Sequence, residues 1–293
     1  SIHGTDHVDL AGLECVCEVT GDVSFGSSLP GMVSVDGLSS LQTIGGDLTI
    51  SWTTSLSDLS GLDGLDSVAG DVTLSTNGAL GDLSAFASLT TIGGALTLSN
   101  NSGLGTLAIF PALEQLTGNL WFNWNGGEMY VGGFDSLTSV GGEIQFANNS
   151  GLEDITGFSG MGPLTVTGGV DLATNGGYGI GASWLTGFDA VTTIGGSLSL
   201  TWNTTFGEIT GFANLSTIGG SLQLRNSSAP ASLTGMGSLS VIGGNLELAN
   251  NALLSDISGL MAVSQVGGNL SVTWNPSLST SDAEALRDAI GSI

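Results

Sequence analysis

The sequence predicts an all-β protein wound as one solenoid of about eleven 24-residue coils, with a short N-terminal cap and a C-terminal capping helix. Three observations carry this expectation. First, Ile44-Gly45-Gly46-Asp47-Leu48-Thr49-Ile50 returns as Ile92-Gly93-Gly94-Ala95-Leu96-Thr97-Leu98 and as Ile194-Gly195-Gly196-Ser197-Leu198-Ser199-Leu200. Second, the leading apolar residue of this motif recurs as an anchor at Val19, Ile44, Val68, Ile92, Leu116, Val140, Val166, Ile194, Ile218, Ile242 and Val266. The steps are 24 residues apart from one of 25, one of 26 and one of 28, a cadence that marks a stacked repeat. Third, apolar residues alternate after the anchor (Leu96, Leu98) and recur in threes before it (Leu80, Leu83, Phe86, Leu89, Ile92). Alternation is a strand with one inward face. Spacing by three suits a chain turning through short arcs, and stacked units can bury such rows where a lone unit cannot.

Residues 1–18 form the expected N-terminal cap, with Thr5–Gly12 as a short helical turn. Residues 19–278 form the coils. The second glycine of each anchor motif (Gly46, Gly94, Gly196 and their counterparts) implies a corner that needs either positive φ or close backbone approach. Nine residues past the anchor stands Asn77, Asn101, Asn125, Asn149, Asn175, Asn203, Asn251 or Asn275. These amides are expected to point inward and form a ladder that satisfies corner backbone groups. Residues 279–293 form the C-terminal cap. There Ser281-Asp282-Ala283-Glu284 reads as a capping box, and Ala283, Leu286 and Ile290 share the face that covers the last coil. With strands about 4.8 Å apart, the whole makes a rod of roughly 50 Å. No composition shift marks a linker, so residues 1–293 are expected to form a single domain.

The strand and Asn read together as L-x-L-x-x-N, and the longer unit as I/V-G-G-x-L-x-L-x-x-N followed by L-x-x-L-x-G-F/L-x-x-L. Over roughly residues 5–290 this resembles the receptor L domain family and related repeats of bacterial surface proteins. The resemblance implies a right-handed β-helix, a leucine-rich-repeat-like solenoid, and an extracellular binding module. The chain departs from that family in having about twice the coils of one module and no Cys-rich companion, and none of that family's ligand-contacting residues can be carried over.

Positions five, seven and eight past the anchor are expected to face water. They are mostly Thr, Ser, Asn and Gln, and the last of them holds Trp52, Trp124, Trp202 and Trp274. These indoles either plug the gap beside the Asn corner or form an assembly or contact face, because aromatic residues are favoured at interfaces. The period loosens in the middle of the chain, where Trp121, Trp124, Glu128, Tyr130, Gln145, Asp171, Tyr178 and Trp184 are the candidate contact residues for a glycan or partner protein. The alternative is that these are loops filling a widened coil.

Composition excludes several classes. With 26 acidic and two basic residues the formal charge is −24, which disfavours nucleic acid and anionic membranes. No apolar run is long enough to span a bilayer. The chain opens on Ser1 without a signal-like stretch, as a processed chain would. Cys15 and Cys17 are too close for an easy mutual disulfide and are read as packed thiols or as intermolecular crosslinks. His3, Asp6 and His7 read as a solvated segment rather than a metal site. No nucleophile motif accompanies the two histidines; Glu143 and Asp171 are the one carboxylate pair to inspect for glycoside hydrolysis. No metal, no cofactor and no catalytic residue is expected, and Ca²⁺ binding has no motif behind it. The leading expectation is a non-enzymatic, secreted or cell-surface protein, an adhesin or a subunit of a self-assembling fibre, whose partner is itself or another surface protein or glycan. A receptor-like ligand-binding module is the alternative, and ice binding by the Thr/Ser columns a minor one.

Overall fold

The computed structural model describes residues 10, 12–26, 31–105, 107–126, 129–160, 162–175, 183–204 and 206–291, with only the backbone at 107, 108, 129, 183 and 184. The chain is a parallel β-solenoid. Two long sheets each hold eleven strands in chain order, which corresponds to about ten full turns. The anchors form one sheet of short strands, such as Thr43–Ile44, Ser67–Val68 and Thr91–Ile92. After a glycine corner the chain enters the second, broader sheet, in strands such as Leu48–Ser51, Val72–Ser75 and Leu96–Ser99. Neighbouring strands align one repeat apart: Leu48 faces Val72, and Thr49 faces Thr73. Alternation does what the period-two pattern requires, with Leu48 and Ile50 fully buried and Thr49 and Ser51 partly exposed.

A third face closes each coil, and it changes character along the rod. It is a 3-10 turn at Asp36–Leu38, Ser60–Leu62, Ser84–Phe86, Thr234–Met236 and Ser258–Leu260. In the middle it is instead a five-stranded parallel sheet of Leu107–Ile109, Met129–Gly133, Leu152–Ile155, Ser183–Leu185 and Phe206–Ile209. In three of the 3-10 turns an aspartate closes the chain: Asp58, Asp82 and Asp256 each accept the N–H of the serine two residues on, at 2.8–2.9 Å. Those backbone donors stabilise the charged form and lower the pKa of Asp58 and Asp256. Asp154, at the same place in a middle coil, instead receives the Thr186 hydroxyl at 3.3 Å. Inside this face the rings of Phe86, Phe110, Phe134, Phe158, Phe188 and Phe212 form one stack, with successive centroids 4.8–5.9 Å apart.

The second glycine of the anchor motif is required by close approach, not by positive φ. A Cβ on Gly94 would lie 2.9 Å from the Asp71 nitrogen and the Gly70 carbonyl carbon, and would collide with the Asp71 carboxylate. That carboxylate belongs to an outer ladder: Asp22, Asp47 and Asp71 each accept the backbone N–H at the same position of the next coil, at 2.7–2.9 Å. Asn119, Ser197, Ser221 and Asn245 do the same further along.

The helix at the C-terminal end packs Leu286 and Ile290 into the core as expected, but Leu270 and Val272 of the last coil stay only partly buried, with a cavity between them and the helix. It starts earlier than the Ser281 capping box implied, spanning Thr280–Ile290. Ser279 is the N-cap, because its Oγ accepts the Asp282 N–H at 3.1 Å. At the other end, Leu10 is buried against the first coils, while the expected helical turn from Thr5 and the residues His3, Asp6 and His7 lie outside the described residues. Cys15 and Cys17 are free and exposed, which overturns their reading as packed thiols; Leu13, Val16 and Val19 are the side chains that pack there. No helix among the described residues is long and apolar enough to cross a membrane.

Candidate functional site

At the end of each strand of the broad sheet the chain must turn its next residue, the ladder Asn, toward the axis. It does so through one residue in the left-handed region. Trp52, Thr76, Asn100, Trp124, Asn148, Thr174, Trp202, Asn226, Asn250 and Trp274 occupy this corner, with φ between 54° and 60°. The corner is fixed from both sides. Its N–H donates to the next coil, as from Trp52 to the Ser75 carbonyl and from Trp202 to the Arg225 carbonyl, and the following residue is pinned by the ladder. Seven ladder asparagines, from Asn77 to Asn251, are buried, while Asn275 on the last coil is half-buried. Each accepts the N–H of its counterpart one coil back, as Asn125 does from Asn101 at 3.0 Å. Most also donate to a carbonyl of that coil, as Asn125 does to Leu98 at 3.0 Å.

Among the described residues, two members of this ladder are not asparagines and carry no Asn signal in the sequence. Ser227 accepts the Asn203 N–H and donates to the Leu200 carbonyl, both at 3.1 Å. Thr53 is the first described rung, giving both its N–H and its hydroxyl to Asn77. Their offset from the anchor was the only available clue.

The corner throws its side chain outward. Trp52, Trp124, Trp202 and Trp274 are 64, 61, 60 and 84 % exposed, so they do not plug the gap beside the Asn. Asparagine tolerates this conformation, whereas a bulky side chain in it costs about 1–2 kcal/mol. Nothing in the corner's geometry asks for an indole.

The face beside the column is uncharged at its N-terminal end, where Ser51 and Ser75 share a hydrogen bond at 2.9 Å. In the middle, Asn123 donates to Gln145 at 2.6 Å and Gln145 to Asp171 at 3.3 Å, beside the partly exposed Trp121. Glu143 lies next to this chain of bonds; burial and the Asp171 carboxylate raise its pKa. Further on, Arg225 pairs with Glu247 at 3.3 Å.

The candidate contact residues therefore fall on two faces rather than one. Trp121, Trp124, Gln145 and Asp171 stand on the broad sheet. Tyr130, 44 % exposed, stands on the third face, where Tyr130 pairs with Asp154 and Asp154 with Trp184 in adjacent strands. Asp154 is buried there, and burial pushes its pKa up against the opposing effect of Thr186. Glu128, Tyr178 and the side chain of Trp184 lie outside the described residues. Among the described residues no group of three or more His, Cys, Asp or Glu side chains is placed to hold a metal ion. Comparison with protein-family models, curated proteins and solved structures returns no match to this chain.

Proposed function

We propose that this chain is a non-enzymatic, secreted or surface-exposed interaction protein of the adhesin type, with the Trp-bearing corner of the broad sheet as its contact surface. One observation carries the reading: four large aromatic side chains are held 60–84 % exposed at backbone positions that disfavour them. Exposed indoles away from the core are typical of contact surfaces. The likeness of the coil to receptor L-type repeats supports an extracellular setting and a leucine-rich-repeat kinship. Adhesion through the side of the rod is favoured over an end-to-end fibre. The final strand, Leu270–Thr273, is the free edge on which a further coil would stack, and the C-terminal helix sits against that coil through Leu286 and Ile290.

The test compares the wild-type protein with a variant carrying Trp52→Asn, Trp124→Asn, Trp202→Asn and Trp274→Asn for retention on whole cells and on their isolated surface material. Retention of the wild type and its loss in the variant, with unchanged circular dichroism, are expected. Equal retention of both would refute the reading.

A further inference from the structure

We propose that the indole column recognises a neutral, linear polysaccharide laid along the solenoid axis, with sugar rings stacking on successive tryptophans. This rests on the contact-surface reading above and adds the partner's class. Along the ten described corners the residues run Trp52, Thr76, Asn100, Trp124, Asn148, Thr174, Trp202, Asn226, Asn250, Trp274. An indole returns at every third coil without exception, and each gap holds two small polar residues. At about 4.8 Å per strand the interval is about 14 Å and the full row about 43 Å.

Folding does not demand this interval. In a solenoid each coil touches only its neighbours, and the core columns here repeat with every coil. An exact three-coil period in an exposed column has no counterpart inside the rod, so it matches something outside it. The surface of a globular protein partner offers no translational repeat, whereas a linear polymer does, and so does a second copy of this rod. The column's own chemistry narrows the class. Indoles offer flat apolar faces, and the Thr and Asn between them offer donors and acceptors for hydroxyl groups. All ten corner residues are uncharged, on a chain of net charge −24. That charge repels acidic polysaccharides and a second copy of the chain alike. A flexible chain that reaches two or more indoles gains by effective concentration, so affinity depends on length.

The experiment uses the whole protein with insoluble cellulose and chitin, soluble galactomannan, and polygalacturonate as the acidic control. Binding is followed by co-sedimentation and by tryptophan fluorescence, with an oligosaccharide length series for any polymer that binds. The variants are the four Trp→Asn changes, singly and together. Asn100, Asn148, Asn226 and Asn250 already occupy the same backbone conformation, so the fold is retained. The expected result is binding to at least one neutral polymer and none to polygalacturonate. Affinity should climb steeply once the oligosaccharide spans about 14 Å, and the fourfold variant should lose at least about a hundredfold. Binding that ignores length, or survives the fourfold change, overturns the proposal. If no neutral polymer binds while retention on cells still depends on the tryptophans, the polysaccharide is wrong and the contact surface stands. A Trp-dependent dimer in sedimentation would identify a second copy as the occupant and overturn the proposal as well.

Discussion

Replacing Asn125 tests the inner ladder at its centre. The side chain is buried; it donates to the Leu98 carbonyl at 3.0 Å and accepts the Asn101 N–H at 3.0 Å. Asn125→Ala deletes both bonds, together with the longer 3.4 Å bonds from Asn101 Nδ2 and to Asn149 Oδ1, and leaves the Asn101 N–H buried without a partner. Losing a hydrogen bond costs about 1 kcal/mol, and an orphaned buried donor about 1–3 kcal/mol. The expected loss is therefore about 3 kcal/mol. Asn125→Ser should behave differently, because Ser227 shows that a hydroxyl at this offset both accepts from the coil before and donates to its carbonyl. Its expected cost is about 1 kcal/mol, chiefly the small void left by the shorter side chain. Equilibrium urea denaturation of the three proteins, followed by far-ultraviolet circular dichroism, gives the comparison, with unchanged slopes as the check on cooperativity. Equal losses for Ala and Ser, or an Ala variant within about 0.5 kcal/mol of wild type, would refute the account of the ladder as a hydrogen-bonding device.

The glycine corners predict a contrast. Gly94→Ala, whose Cβ would meet Asp71 and Gly70, should destabilise by about 2 kcal/mol, while Gly237→Ala, with φ of −63° and open space around it, should be neutral or stabilising by about 0.5 kcal/mol in the same denaturation assay. Asp154 has a raised pKa in the folded state, so its native form holds a proton more tightly than the unfolded chain does. Its favourable contribution is present at low pH and is lost as pH rises through the folded value. Asp154→Asn should accordingly raise Tm at pH 7, and the gain should vanish below the ordinary carboxylate range; a gain independent of pH would rule out ionisation as its cause.

The period of the coil, its inward leucines and the inner Asn ladder were legible because each repeats with every turn and each satisfies a demand that every turn makes. What the sequence concealed arises where one demand is met by different residue types. Thr53 and Ser227 serve the ladder with hydroxyls, and the outer ladder uses Asp, Asn and Ser interchangeably, so neither forms a letter pattern. The Trp column faces water as its offset from the anchor implies, but whether the indoles plug the gap beside the Asn or stand clear of it depends on the sign of φ at one corner, which the indole itself does not announce. The grouping of Tyr130 with Gln145 and Asp171 failed for a related reason. Nearness along the chain does not reveal that an inward Asn stands between two faces, and Tyr130 lies past Asn125 on the far side of that corner. The C-terminal helix was legible in its buried face, but Ser279 and Ser281 are both serines followed three residues on by an acid, and only geometry chooses between them.

Among the described residues the ladder has one fault, and it falls at the 28-residue step. Asn101, Asn125 and Asn149 each donate to the carbonyl 27 residues back, in the preceding coil. By the same rule Asn203 would donate to the Leu172 carbonyl across the 28-residue step. That carbonyl is taken at 2.9 Å by Asn175, which also donates to Phe146 at 2.6 Å. The Asn203 Nδ2 is left buried with no hydrogen-bond partner, while its Oδ1 still accepts the Asn175 N–H at 3.0 Å. A buried donor without an acceptor is a cost that a serine would not carry. Asn203→Ser keeps an oxygen for the Asn175 N–H and removes the orphan, so it should cost less than Asn125→Ser and is expected to be neutral or stabilising. Native-state hydrogen exchange should place the earliest opening of the ladder between Asn175 and Asn203, and the serine variant should slow it. If Asn203→Ser instead destabilises as much as Asn125→Ser, the Nδ2 has a partner, and the widened coil is as well sealed as its neighbours.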